Sequence, residues 1–372
     1  MTRTLIRPLQ ATVIALIFCL SIFSGSFAAQ AEEVYIPDSN LKSLLQEQGK
    51  LAATDLAKIE KLDTKEKPIK DFTGIEYLIN LKDLKVAGNW MTDLGFVKNV
   101  PSLTRLDLQD NKISDLTPLA SLSQLQYLNL QENELTNIAP LKGLTNLTEL
   151  DLEFNQISDI SPLSGLVKLT NLNLQDNKVS NITPLASLIN LETLDLSNND
   201  VSQISTLVTI DQGKARGTNK FINLENNLLN LGAGSPAATD IKTVLEGKRF
   251  IIRYEPQKVI QVKLNGTYLN MDVPPTIIDG RTLVPLRAIF EALNADVVWD
   301  NNTKTVTGSK GSTTVVLKIN SKTAQVNGKN TLLDVPATIV DGRTMVPARF
   351  IAESLGQKVG WAENLRTVLI TD

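Results

Sequence analysis

The 372-residue sequence contains no histidine and a single cysteine, Cys19. Without histidine there is no Ser-His-Asp relay, no imidazole ligand for zinc or copper, and no side chain that titrates unperturbed near neutral pH. Cys19 lies in an apolar stretch of 13 residues, Ala11 to Phe23. Arg3 and Arg7 precede that stretch, and the small-residue site Ala29-Gln30-Ala31 follows it. The order basic, apolar, small predicts a cleaved signal peptide over residues 1–31, with Glu32 as the mature start. Phe18 does not suit a lipoprotein cleavage box, which wants a small residue before the cysteine. A mature chain that starts at Glu32 has no disulfide, no thiolate nucleophile and no cysteine-bound zinc.

An excess of positive charge is also missing. The whole sequence has 37 basic and 40 acidic residues; removing residues 1–31 takes away only Arg3 and Arg7, so 35 face 40. A weakly acidic chain without a basic cluster is a poor nucleic-acid binder. No apolar run of 18 residues follows the signal, so no membrane span is expected.

What the chain does have is repetition. Asn89, Asn111, Asn133, Asn155, Asn177 and Asn199 recur every 22 residues, each closing a Leu-x-x-Leu-x-Leu-x-x-Asn segment such as Leu103, Leu106, Leu108 and Asn111. A fixed period of this length predicts a stacked solenoid. Positions 4 to 6 should form a short strand with alternate side chains in the core. The asparagine amide should satisfy backbone groups at the turn. Proline at position 16, as in Pro118 and Pro184, blocks a long helix and predicts an extended or 3₁₀ return segment. Residues 32–80 are expected to supply an N-terminal cap and a degenerate first repeat. Asp38-Ser39-Asn40 starts a capping helix with Leu41, Leu44 and Leu45 on its apolar stripe. Residues 81–257 hold the repeats and a C-terminal cap. The interval between asparagines stretches to 28 before Asn227, over an insertion containing Gly213-Lys214-Ala215-Arg216-Gly217. A helix from Pro236 through Leu245 and a strand from Phe250 to Tyr254 are expected to close the stack.

The 22-residue period, the Pro-Leu pairs at positions 16 and 17, and Thr73-Gly74-Ile75-Glu76-Tyr77-Leu78 before the first full repeat carry a resemblance. Residues 33–257 resemble the repeat region of internalin-type bacterial surface proteins. The proline is absent at Phe96 and Thr206. Internalin-type proteins carry an immunoglobulin-like domain behind the repeats. A different module follows here, so the resemblance does not imply a part in host-cell invasion.

Positions 3, 5, 7 and 8 of the six repeats should face the concave side. They carry nine acidic residues and two basic ones, Lys85 and Arg105. Position 5 reads Lys85, Asp107, Asn129, Asp151, Asn173, Asp195. Interleaved amides separate carboxylates that would repel at strand spacing. This column reads either as a solvated ladder or as an acidic patch for a basic or polar partner. Tyr127 and Phe154 are the aromatics of that face, flanked by Trp90. The candidate ligand-binding residues are Arg105, Tyr127, Glu149, Asp151, Glu153 and Phe154.

Beyond residue 257 the period becomes 62. Val273 to Val306 is echoed by Val335 to Val368, with Asp279-Gly280-Arg281 matching Asp341-Gly342-Arg343, and Trp299 matching Trp361. Asn265-Gly266 and Asn327-Gly328 signal hairpins. Pro285 and Pro347 should each open a helix. Asn294 and Gly356 should end them in the left-handed conformation. Each half is expected to run β-β-α-β-β, and two halves make one small α+β unit, 258–372. Arg287 with Glu291 and Arg349 with Glu353 read as ion pairs on helix faces, with a ligand clamp as the alternative. Trp299 and Trp361 are expected in the core, with stacking on sugars as the alternative. The Arg-Thr-Leu/Met-Val-Pro-x-Arg motif and the following tryptophan resemble the copper amine oxidase N-terminal-like, or stalk, domain of secreted proteins from Gram-positive spore formers. The resemblance implies a peripheral role, because in amine oxidases copper and cofactor sit in a separate catalytic domain. The histidines of such a site are missing from this sequence.

The fold expected is an α/β leucine-rich-repeat solenoid, with parallel strands on the concave face and short return segments, followed by a small duplicated α+β domain. The function expected is binding rather than catalysis, with no cofactor and no metal. The protein should be secreted, extracellular or cell-wall associated, and monomeric. Its partner should be an extracellular protein or peptide held on the concave face, or a cell-wall polysaccharide. The C-terminal module would then be a spacer or an envelope attachment.

Overall fold

Every aliphatic position of the repeat is buried in a computed structural model of the chain, which describes residues 33–64, 67–210, 220–246 and 250–372. The expected signal peptide over residues 1–31 and the insertion at 213–217 lie outside the described residues. Each repeat turns once, so that its leucines stack on those of the next. Leu84, Leu106, Leu128, Leu150, Leu172 and Leu194 form one such file, all buried. Strand follows strand in parallel order: β1 (Lys61–Asp63), β2 (Asp83–Lys85), β3 (Arg105–Asp107), β4 (Tyr127–Asn129), β5 (Glu149–Asp151), β6 (Asn171–Asn173), β7 (Thr193–Asp195), β8 (Lys220–Asn223) and β9 (Phe250–Arg253). The register is constant, with Leu84 opposite Leu106 and Leu106 opposite Leu128. A one-residue slip would turn every leucine outward.

The return segments are 3₁₀ turns such as Thr117–Ser121 and Ser161–Gly165, with proline inside the first turn. The two repeats without that proline behave differently. Gly95–Asn99 stays 3₁₀, and Phe96 stacks on Phe72 with ring centroids 3.9 Å apart. Thr206, which keeps its N–H, lies in a true α-helix, Ser205–Ile210.

The asparagine ladder is complete and longer than the sequence suggests. Asn133 accepts from Ile113 N and donates to the carbonyls of Leu108 and Leu130. Asn155, Asn177, Asn199 and Asn227 repeat the pattern. The next rung is a glutamine: Gln257 accepts from Leu229 N at 3.0 Å and donates to Leu224 O, with only 1% of its surface exposed.

Helix α1 (Ser39–Gln48) starts at Asp38, whose carboxylate accepts from the N–H groups of Asn40 and Leu41. It lays Leu41, Leu44 and Leu45 over the first open end of the core. A short helix α2 (Ala53–Leu56) follows. At the other end α3 (Ser205–Ile210) packs against α4 (Pro236–Glu246).

The C-terminal module contains β10 (Gln261–Leu264), β11 (Thr267–Tyr268), β12 (Thr276–Ile278), β13 (Arg281–Pro285), α5 (Leu286–Ala292), β14 (Asp296–Asp300), β15 (Thr305–Lys310), β16 (Thr313–Lys318), β17 (Thr323–Val326), β18 (Lys329–Leu332), β19 (Thr338–Val340), β20 (Arg343–Pro347), α6 (Ala348–Ser354), β21 (Lys358–Ala362) and β22 (Thr367–Thr371). Each half thus carries two hairpins before its helix, not the single pair expected, because Asn-Gly and Asp-Gly each close one. The halves are related by a pseudo-twofold axis at the centre of the sheet β12-β13-β20-β19, where Val284 faces its own counterpart Val346. They also interleave: β22 of the second half pairs with β10 of the first, and β16 bridges β15 to β17. The packing is complementary between halves. Gly308 leaves room for the Phe290 ring, since a Cβ there would fall 1.8 Å from it. The equivalent pair in the second half, Ile370 and Ala352, exchanges large for small.

The module sits against the last rungs of the solenoid. Gln261 donates to Leu229 O, Ala233 N donates to Tyr268 O, and Asn230 donates to Asn270 Oδ1 at 2.8 Å. Gly232 is required by this contact, because a Cβ there would lie 2.1 Å from Asn270 Cα.

Candidate functional site

Register places the outward side chains of the concave face in straight rows. Position 3 runs Lys61, Asp83, Arg105, Tyr127, Glu149, Asn171 across β1 to β6. Position 5 runs Asp63, Lys85, Asp107, Asn129, Asp151, Asn173 on the same strands. Arg105, Tyr127 and Glu149 are therefore neighbours on adjacent strands, with Asp151 two residues along from Glu149. Glu153 and Phe154 follow at the turn.

The Asp/Asn column is tied together by hydrogen bonds. Each Oδ1 accepts the N–H two residues on, as Asp151 does from Glu153 and Asn173 from Gln175. Asn173 Nδ2 donates to Asp151 at 3.3 Å and to Glu153 at 3.0 Å, and Asn223 Nδ2 donates to Asp195. The column therefore has a structural role at every rung. Burial raises the pKa of the Asp151 carboxyl from its ordinary value, and the charges of Asp107 and Asp195 push the same way, against the bonds from Glu153 N and Asn173. Burial likewise raises Glu153. Among the described residues no group of three or more carboxylates could hold a metal ion.

The aromatics differ from one another. Tyr127 is half-buried, and the guanidinium of Arg105 lies 3.3 Å from its ring centroid. Phe154 is 47% exposed and sits at position 8, where the backbone is left-handed, with φ of 49°. The same slot holds Asp110, Glu132, Asp176 and Asn198, all at positive φ. Asn and Asp tolerate that conformation; a bulky ring there is an outlier that needs a compensating benefit. Trp90, also left-handed, is 73% exposed beside Lys112, whose ammonium is 4.5 Å from the ring centroid.

A hollow of about 450 Å³ opens at the N-terminal end of the face, lined by Glu47, Gln48, Lys61, Asp83, Lys85 and Arg105 among others. Signs alternate along both rows there, with Lys61 and Arg105 each 3.8 Å from Asp83. This part of the surface was not legible in the repeats, because β1 and the end of α1 belong to the degenerate segment. Lys85 and Asp83 did stand at outward positions, which was the available signal.

In the module Trp299 and Trp361 are 37% and 43% exposed, not core as expected. They lie on β14 and β21, each an edge strand of its sheet, and the core beneath is filled from the helices and inner strands. Arg287 to Glu291 and Arg349 to Glu353 are loose pairs, at 4.0 and 3.9 Å. The pairs that hold the halves together are reciprocal: Arg281 binds Asp334 of the second half, and Arg343 binds Asp272 of the first, each through Nε at 2.6 Å.

Comparison with known proteins agrees with both parts of the chain. Residues 79–121, 123–165 and 167–208 match leucine-rich repeats, and residues 263–370 match the copper amine oxidase N-terminal domain. The latter segment has neither histidine nor cysteine, so its residues do not fit a copper centre. Among solved structures, internalin C2 of Listeria monocytogenes is 30% identical with a TM-score of 0.51, over 60% of this chain and 99% of that one. An internalin (inlF) of the same organism is 30% identical with a TM-score of 0.49, over 56% of this chain and 61% of that one. Among curated proteins, one named protease inhibitor from Brevibacillus choshinensis is 27% identical over 115 residues, 31% of this chain and 35% of that protein. The chain thus spans about a third of the length of that relative. The protein belongs to the internalin-like leucine-rich-repeat family, and carries a copper amine oxidase N-terminal domain behind its repeats.

Proposed function

We propose that this is an exported binding protein whose concave face holds an extracellular protein or peptide, with residues 258–372 acting as spacer or envelope attachment. Phe154 carries the reading. A phenylalanine in a left-handed slot, nearly half exposed, costs stability and solubility unless a ligand covers it. The Arg105–Tyr127 stack lies on the next two strands, β4 and β3, and offers a second anchor. Burying the two aromatic side chains would contribute about 1–3 kcal/mol each. The acidic residues around them, Glu149, Asp151 and Glu153, would favour a basic partner and make association salt-dependent. The internalin family, in which leucine-rich repeats serve protein binding at the bacterial surface, supports the same reading.

The test is capture from the secreted proteins of the source culture. Parent protein is compared with the Tyr127→Ala, Phe154→Ala double variant and with Lys142→Ala on a return turn. Loss of the captured partner in the double variant alone, at an unchanged melting temperature, supports the proposal. Equal capture by all three moves the binding role away from this face. N-terminal sequencing of the secreted protein tests export, with Glu32 as the expected first residue.

A narrower version makes the partner a peptidase, which the similarity to a protein named protease inhibitor supports. Titration against a panel of extracellular serine and metallo-peptidases, with residual activity as the readout, decides it.

A further inference from the structure

A cleft of about 1100 Å³ lies where the module meets the solenoid. Trp299 of β14, Arg287 and Glu291 of α5, Arg343 of β20, Asp272 and the solenoid residue Asn230 line it. Its chemistry differs from that of the concave face in three respects. First, its charged lining residues are two arginines and two carboxylates, so the cleft offers donors and acceptors without net charge. Second, Arg287 and Glu291 are highly exposed, and at 4.0 Å they are not hydrogen-bonded to each other, so their capacity for a ligand is unspent. Third, Trp299 stands on an edge strand, 37% exposed, with its ring available to a ligand.

The same constellation recurs at the pseudo-twofold position. Trp361 is exposed, Arg349 and Glu353 form the same loose pair at 3.9 Å, and Arg281 binds Asp334 as Arg343 binds Asp272. Two halves that differ at Phe290/Ala352 and Gly308/Ile370 both carry an exposed tryptophan and, on the preceding helix, an exposed, loosely paired Arg–Glu. Neither ring belongs to the buried core of the module.

We propose that the Trp299 cleft is a binding site for a neutral, hydroxyl-rich oligosaccharide. A hydroxyl both donates and accepts, which suits paired guanidinium and carboxylate groups. A sugar ring also presents an apolar C–H face that matches an indole. A charged peptide would gain nothing from a cleft whose field cancels. The volume, about 1100 Å³, lies just above the range of small-ligand sites, about 300–1,000 Å³, so the ligand is an oligomer rather than a single sugar. Asn230 makes the solenoid cap one wall, and its Nδ2 already bonds Asn270 at 2.8 Å.

The experiment uses the full chain, with chitotetraose and cellotetraose as probes in calorimetric titration. Binding of at least one is expected at millimolar concentration or below. Trp299→Ala should weaken it at least about tenfold, which corresponds to about 1.4 kcal/mol. Trp299→Phe should retain most of it, and Arg287→Ala should weaken it with an unchanged melting temperature. Tyr127→Ala with Phe154→Ala should leave it intact, which separates this site from the concave face. Chitotetraose preference would point to amino-sugar polymers, and cellotetraose preference to plain glucans; either supports the proposal. No binding of either probe, or equal binding by parent and Trp299→Ala, overturns it. So does retention of an extended peptide that Trp299→Ala abolishes, when neither saccharide binds.

Discussion

Arg105 covers Tyr127: its guanidinium carbon lies 3.3 Å from the ring centroid, on the adjacent strand at the same register position. Arg105 is held from the other side by Asp83 at 3.8 Å. The tyrosine is therefore presented to a ligand as one half of a preformed stack. Burial raises the pKa of its hydroxyl, and the nearby guanidinium opposes that shift. An exposed stack of this kind is worth about 0.5–1 kcal/mol. Arg105→Ala and Tyr127→Ala should accordingly be non-additive in ligand affinity, with a coupling of that size in a double-mutant cycle. Additive losses would make them independent contacts.

Phe154→Asn should raise stability and lower affinity together. Asn198 already occupies the same slot at φ of 56°. Relief of the left-handed strain is worth about 1 kcal/mol. A higher melting temperature with weaker partner capture is the expected pair of results. A lower melting temperature would mean that the ring is needed for packing.

Asn173→Asp probes the acid ladder. Asn173 donates to both Asp151 and Glu153, and the variant replaces those bonds with a third carboxylate in the column. The loss should be on the order of 1–3 kcal/mol at neutral pH. Burial has already raised Asp151 and Glu153. A carboxyl raised in the folded state holds its proton more tightly there than in the unfolded chain. Its contribution to stability therefore falls as pH rises from the ordinary carboxylate range through the raised value. The deficit of the variant should shrink on acidification from pH 7 toward about pH 4, because protonation restores a donor. Melting curves at several pH values measure it; a constant deficit would exclude carboxylate repulsion as the cause.

Gln257→Ala should destabilise the last rungs. It leaves the buried Leu229 N–H without its acceptor, at a cost of about 1–3 kcal/mol. The C-terminal end of the solenoid should gain hydrogen-exchange rate first. Protection unchanged from the parent would show that the ladder ends at Asn227.

Gly232→Ala acts instead on the junction. The new Cβ would meet the backbone of Asn270, so the module must move away from the cap. Faster proteolysis around residues 258–262, with the far halves of both units still protected, is expected. An unchanged digestion pattern would mean that the contact can adjust.

The repeat period determined the solenoid directly. Leucine every 22 residues in a fixed pattern can bury itself only by stacking, and proline limits the return segments. Asn89 to Asn227 were legible for the same reason: one residue type solved one local backbone problem at every turn. The concave rows were legible too, since strand alternation fixes which side chains point outward. The Arg105–Tyr127 stack was not, because the pattern places side chains on a face without saying how they fold over one another. Gln257 was not legible, because a longer amide reaches the carbonyl of Leu224 from a different spacing, which only the path of the chain reveals. The tryptophans mark the sharpest division. Sequence marked Trp299 and Trp361 as equivalent apolar strand residues, and in a small domain such residues usually go inside. Tertiary structure put them on edge strands, because the interleaved halves filled the core with Phe290, Ile351 and Val346. Local pattern decides which face of an element is apolar; whether anything covers that face depends on partners that come from the other half of the chain.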